Sequence, residues 1–314
     1  MSNPSRSVRL ALSLTAAATF ALFVAGGALG VYRYARGYWL YRGFPPPREA
    51  SYVANAGREE HFSLRSRALG GRSQTVFVYL PPGYDRNPNR RYPVLYLLHG
   101  TPGRPDGFLL ALGMGVTEDA LVAKHKIKPL ILVMPFGSTS VFTDKEWANG
   151  IRPHEGWETF VSRDVVHAID SRYRTIPNGA ARAIGGLSEG GYGALNIGFH
   201  HPGEFTLLES WSGYELADNV KAIFGGKQAL LRWNSPMKLL PQVAGRLKQA
   251  NTAIWFYSGR HDPLRRENAR FARELAHEGV SYTYFVGDGG HNWRLWRANV
   301  PGSLIIASAH LAHA

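Results

Sequence analysis

The apolar positions of this chain follow several different rhythms. Residues 10–32 carry no charge, and Arg9 and Arg33 close that run at its two ends. As a helix it would be about 35 Å long at ~1.5 Å per residue, enough to cross a hydrocarbon core ~30 Å thick. Beyond residue 57 the apolar runs become short. Residues 94–98 and 130–134 are continuously apolar, as strands covered on both faces are. Residues 74–80 form a β-rich run that stops at Pro81-Pro82-Gly83. Residues 157–173 instead place Phe160, Val161, Val165, Ala168 and Ile169 at helical spacing, with charges between them. Further strands are predicted near 206–208, 253–257 and 281–286, and helices at 192–200 and 267–277. Such alternation predicts an α/β fold with a mostly parallel central sheet and helices on both faces. Functional loops then gather at the carboxyl ends of the strands.

The first apolar run has two readings. One is an uncleaved transmembrane anchor. The other is a signal segment, with Arg6 and Arg9 as its positive start and Ala28-Leu29-Gly30 as a small-residue cleavage site. The run is longer than most signal cores, which favours the anchor. Arg6 and Arg9 on one side nearly balance Arg33, Arg36, Arg42 and Arg48 on the other, so flanking charge does not set the orientation. The signal-like architecture favours an extracytoplasmic catalytic domain. Tyr38, Trp39 and Tyr41 suit the headgroup level, and Pro45-Pro46-Pro47 reads as a stiff spacer. The predicted organisation is a tail at 1–9, the anchor or signal segment at 10–32, a linker at 33–57 and a catalytic domain at 58–314.

Composition narrows the chemistry. The 314 residues contain no cysteine, which excludes disulfides, a thiol nucleophile and thiolate metal sites. The formal charge of +13 draws the protein to anionic surfaces. No helix-turn-helix, RNP or zinc-finger pattern accompanies that charge, so an anionic membrane rather than nucleic acid is the expected partner. No H-E-x-x-H pattern or phosphate-binding glycine loop occurs, and neither a metal nor a cofactor is implied.

The chemistry gathers at Gly186-Leu187-Ser188-Glu189-Gly190, a G-x-S-x-G core between a predicted strand and a predicted helix. A serine on so tight a turn is held in strained backbone above the sheet edge, where it can act as a nucleophile. The amide of Glu189, opening the helix, then points toward an oxyanion formed there. A serine hydroxyl needs a base. His291 follows the last predicted strand through Gly287-Asp288-Gly289-Gly290, a turn able to deliver it to the serine. Asp262 follows the strand at 253–257 and is the expected partner of His291, with Asp288 and Asp218 as rivals. A second oxyanion donor is expected from His99-Gly100-Thr101-Pro102-Gly103. Proline has no N–H, so Thr101 is the best candidate, with Gly103 behind it.

Several segments together resemble the Putative esterase family of α/β-hydrolases, which includes esterase D, S-formylglutathione hydrolases, feruloyl and enterochelin esterases, and mycolyltransferases. They are residues 92–100, Trp157-Glu158-Thr159-Phe160 with Asp164, Tyr173-Arg174-Thr175, residues 186–194 and Gly290-His291-Asn292-Trp293. The resemblance spans roughly residues 74–296 and implies the α/β-hydrolase fold, a serine esterase activity, and Ser188, Asp262 and His291 as its triad. Glu189 departs from it, because relatives often carry methionine there. Asp144, Glu146 and Trp147, in the long loop before residue 157, are candidate substrate-binding residues: the two acids, together with Glu189, for a cationic ammonium group and the indole as an aromatic face. The alternative is a solvated loop around a core tryptophan. With the anchor, the acidic pattern is similar to bacterial hydrolases of aminoacylated phosphatidylglycerol. The expected function is a membrane-anchored esterase acting on a lipid or cell-envelope ester. Acyl transfer through the same triad and a non-catalytic binding module are the alternatives.

Overall fold

The structure, a computed structural model, describes residues 6–143 and 145–313. The continuous apolar runs form the middle of an eight-stranded sheet. Its strands are β1 (Arg58–Arg65), β2 (Ser73–Leu80), β3 (Val94–Leu98), β4 (Ile131–Pro135), β5 (Arg182–Leu187), β6 (Leu207–Trp211), β7 (Ala253–Gly259) and β8 (Ser281–Gly287), in the order β1-β2-β4-β3-β5-β6-β7-β8. The β1–β2 and β2–β4 pairs are antiparallel, and every pair from β4 to β8 is parallel. All residues of β3, β4, β5 and β6 are buried, which explains why no polar alternation marks them in the sequence.

Side chains leave a strand on alternate faces, so each strand feeds two cores. On one face Tyr96, Leu98, Val133, Ile184, Leu208 and Phe256 pack with helices α5 (Val166–Arg172), α6 (Glu189–His200), α8 (Pro236–Gln249) and α9 (Arg265–Glu278). On the other, Leu95, Leu97, Leu132, Trp211 and Tyr257 pack with α2 (Gly107–Leu110), α3 (Met114–Ala123) and α10 (Trp293–His310). Two short helices complete the set, α4 (Trp157–Thr159) and α7 (Gln228–Trp233).

The chain divides into two units between Pro46 and Pro47. The first holds α1 (Arg6–Tyr41), whose portion Leu14–Tyr41 contains an 18-residue stretch of mean hydropathy 1.9 and has no buried residues, long and apolar enough to cross a membrane. The helix continues through Tyr41, so the aromatic and basic residues expected in a linker are helical. The second unit begins at Pro47, and within it the Gly57 amide donates to Asp119 (3.0 Å) and Lys124 lies over the Tyr52 ring.

Other differences have local causes. Strand β1 was not expected, because as an edge strand it shows a largely polar sequence, Arg-Glu-Glu-His-Phe-Ser-Leu-Arg. Pro241 within α8 and Pro301 within α10 disguise both helices as broken segments. The helix predicted at 157–173 is interrupted by a π-helical turn at Phe160–Val165 between α4 and α5.

His200 and His201 join the end of α6 to α4. His200 Nδ1 and His201 Nε2 each lie 2.9 Å from a different oxygen of Glu158, and His200 stacks on Trp233. Burial alone would raise the Glu158 carboxyl, but the bonds from the two histidines outweigh it and bring it from 4.5 down to about 2. A carboxyl depressed by folding stabilises the folded state above its unfolded pKa, and that contribution is lost as pH falls through the folded value. At 1.36 kcal/mol per unit this is on the order of 3 kcal/mol. Glu158→Gln is therefore expected to be less stable than the parent at pH 6 in denaturant unfolding. The gap should close as pH falls from 4.5 to about 2.

Candidate active site

The turn from β5 into α6 is shaped by what its glycines lack. A Cβ on Gly190 would lie 1.9 Å from the Leu98 carbonyl oxygen, and one on Gly186 would lie 2.4 Å from the same atom. Only glycine lets the first turn of α6 press this closely on the end of β3. Ser188, between them, has φ 55° and ψ −120°, a region side chains rarely adopt. Its amide donates to the Trp211 carbonyl (2.9 Å), which fixes the turn against β6.

Two distant residues meet that serine. His291 Nε2 lies 2.8 Å from Ser188 Oγ, and His291 Nδ1 lies 3.1 Å from Asp262 Oδ2. With the Nδ1–H donating to the carboxylate, Nε2 presents its lone pair to the serine hydroxyl, the tautomer a general base needs. His291 precedes Asn292, whose side chain accepts from the Leu295 amide and caps α10. The imidazole meets the Trp296 ring edge-on at 5.2 Å. The Asp262 side chain is wholly buried at the end of β7, and its other oxygen accepts from the Leu264 amide (2.9 Å). Burial pushes this carboxyl up, but the bonds from His291 and Leu264 outweigh it and hold it below the usual carboxylate range. The rivals are elsewhere: Asp288 is 91% exposed and pairs with Arg260, and Asp218 pairs with Lys238.

Thr101 and Glu189 also come together. The Gly100 backbone passes so close that a Cβ there would lie 3.1 Å from the Ser188 Cβ, which brings the next residue, Thr101, alongside the turn. The Thr101 hydroxyl donates to the Glu189 carboxylate. Glu189 opens α6, where amides point outward along the helix axis. His99, just before, is structural: Nδ1–H donates to the Gly100 carbonyl and Nε2 accepts from the Gly137 amide. Burial lowers its pKa to about 4 and keeps it neutral.

Two of the expected substrate-binding residues are engaged within the protein. Trp147 is fully buried, its Nε1–H donates to the His99 carbonyl (2.9 Å), and its ring lies against His99. A Cβ on Gly137 or Gly193 would strike that ring, so the indole fills the core instead of offering a face to a cation. The Glu146 carboxylate, also buried, accepts from the Tyr214 hydroxyl. Asp144 lies outside the described residues. The sequence reading overlooked Trp296 and Tyr214. Trp296 was signalled by its i,i+3 spacing from Trp293 on a capped helix; no local pattern marks Tyr214.

A family model described as "Putative esterase" matches residues 66–306. An esterase of Mycobacterium tuberculosis is 27% identical over 280 residues, which cover 79% of this chain and 59% of that protein. The chain thus spans less than two thirds of that relative's length. A diacylglycerol acyltransferase/mycolyltransferase of Mycobacterium leprae is 26% identical, covering 67% of this chain and 73% of that protein. Among solved structures, a ferulic acid esterase superposes with a TM-score of 0.72 at 26% identity, covering 82% of this chain and all of that one.

The glycine contact is directly testable. Gly190→Ala should lower Tm by ~5 °C or more and abolish reactivity of the serine, because the new methyl group can be relieved only by moving α6 off β3. Thermal unfolding and serine labelling measure the two effects.

Proposed function

The chain belongs to the Putative esterase family, and on that premise we propose that it is a serine esterase cleaving a carboxylic ester of a lipid or cell-envelope component. The observation that carries this reading is the unbroken line Ser188 Oγ, His291, Asp262 at 2.8 and 3.1 Å. In the proposed cycle His291 takes the Ser188 proton as the oxygen attacks the ester carbonyl. Asp262 holds the imidazole in orientation and stabilises its charged form. The amides of Glu189 and Thr101 receive the oxyanion, and His291 returns the proton to the departing alcohol. Water, activated by the same histidine, then releases the acid from the acyl-enzyme.

The proposed setting is a membrane surface, with α1 as the anchor and the second unit on the extracytoplasmic side. The apolar helix and the +13 formal charge support it. Aminoacylated phosphatidylglycerol stays within the proposed class as a substrate to test, although Trp147 and the Glu146 carboxylate are engaged within the protein. Acyl transfer to a sugar or lipid hydroxyl is the second reading, favoured by the likeness to the Mycobacterium leprae acyltransferase.

A fluorophosphonate probe should label the protein at Ser188. Ser188→Ala should lose labelling and lower kcat by about 10⁶-fold, as for other triad nucleophiles. Asp262→Asn should lower kcat by about 10⁴-fold through the wrong histidine tautomer. Retention of most activity in Ser188→Ala would remove the assignment. Incubating the full chain with labelled lipid extract that includes aminoacylated phospholipids, with and without added alcohols, should identify the ester cleaved and separate hydrolysis from transfer.

A further inference from the structure

The Glu189 side chain sits at the junction of two loops. It is only 4% exposed, and its two oxygens take different partners. Oε2 accepts from the Thr101 hydroxyl, on the loop that follows β3. Oε1 accepts from the Glu146 amide (2.9 Å), on the loop that follows β4. Both bonds therefore end on the residue directly after the serine. The second loop is in turn secured to the body of α6: the Tyr214 hydroxyl donates to Glu146, Tyr214 stacks on Tyr192 at 4.8 Å, and Tyr192, within α6, donates to the Asn234 carbonyl.

We propose that the Glu189 carboxylate is a positioning residue for the oxyanion site: it holds the Thr101 loop at the distance where the amides of Thr101 and Glu189 converge on one oxygen. The inference rests on the esterase reading above, and it assigns the side chain of Glu189 a task separate from that of its amide. The physical need is specific. One donor belongs to a helix start and is fixed by packing, whereas the other belongs to a loop, which is mobile unless tied. Donors of this kind act only when held to within ~0.5 Å, and a misplacement of ~1 Å costs on the order of 10²-fold. A carboxylate suits the place because each oxygen accepts a separate hydrogen bond and a negative group is favourable at a helix N-terminus.

The test uses the full chain and an activated ester substrate. Glu189→Met, close in size but unable to accept both bonds, should lower kcat about 10²-fold with KM within about threefold and the pH profile unchanged. Affinity for a boronic acid that mimics the tetrahedral intermediate should fall in parallel. Glu189→Gln should keep kcat within about threefold, because its carbonyl can accept from the Glu146 amide while its NH₂ donates to the Thr101 hydroxyl. Thr101→Val, which leaves the Thr101 amide in place, should show a smaller loss in the same direction. The double variant Thr101→Val/Glu189→Met should be no worse than Glu189→Met alone. If Glu189→Met does not fold, Thr101→Val, at a half-exposed position, carries the test alone. The proposal is overturned by a kcat near the parent's in Glu189→Met, by Thr101→Val having no effect, by fully additive losses, or by a fall in Tm with kcat and boronate affinity unchanged. Any of these, with Ser188→Ala still inactive, leaves the esterase reading standing. An active Ser188→Ala is the outcome that removes that reading itself.

Discussion

The carbonyl of Leu98 leaves no room for a side chain at two positions of the serine turn, and the rest of the site is built outward from that contact. Gly186 and Gly190 bring α6 against the end of β3. Ser188 is thereby held at positive φ, and the helix begins with Glu189. Because β3 and β5 are parallel neighbours, the Gly100–Thr101 segment leaves the sheet at the same edge as the serine. The next strands in order, β6 and β7, put the Asp262 loop on that edge, and β8 leads into His291. The close approach in the middle of the sheet thus sets the origin from which the other groups are measured.

Charge around the site is sorted by burial and by partners together. Asp262 is wholly buried yet held ionised by the hydrogen bonds it accepts. Glu215, also buried, is pushed well above the usual carboxylate range by burial and then by the nearby Glu267 and Asp262. The buried pair is thus split: folding favours the charged form of Asp262, which faces His291, and the neutral form of Glu215. His99 is kept neutral as well, by burial. The glutamates nearest the serine accept bonds from protein donors.

The sheet and the serine turn were legible because their signals are local. Continuous apolar runs mark doubly covered strands, and G-x-S-x-G needs its glycines at fixed places for a steric reason visible in the contact distances. Asp262 and His291 were legible from position, each in the loop after a predicted strand. What the sequence hid depends on tertiary partners. An edge strand shows solvent-like composition, and a proline inside a helix looks like its end. The sequence cannot show that the Trp147 indole is wedged between Gly137, Gly193 and His99. Likewise nothing near residue 158 announces that its partners lie 42 and 43 positions away.

The separation along the chain between Ser188 and His291 is 103 residues, and the strand that delivers His291 is the last of the sheet. The serine therefore has no base until the final strand has been made and docked, since long-range pairings of this kind form only as the whole sheet consolidates. In a chain still being synthesised, Ser188 stands without its hydrogen-bond partner. Arrival of the carboxyl-terminal segment is the moment at which the line from Ser188 to Asp262 closes.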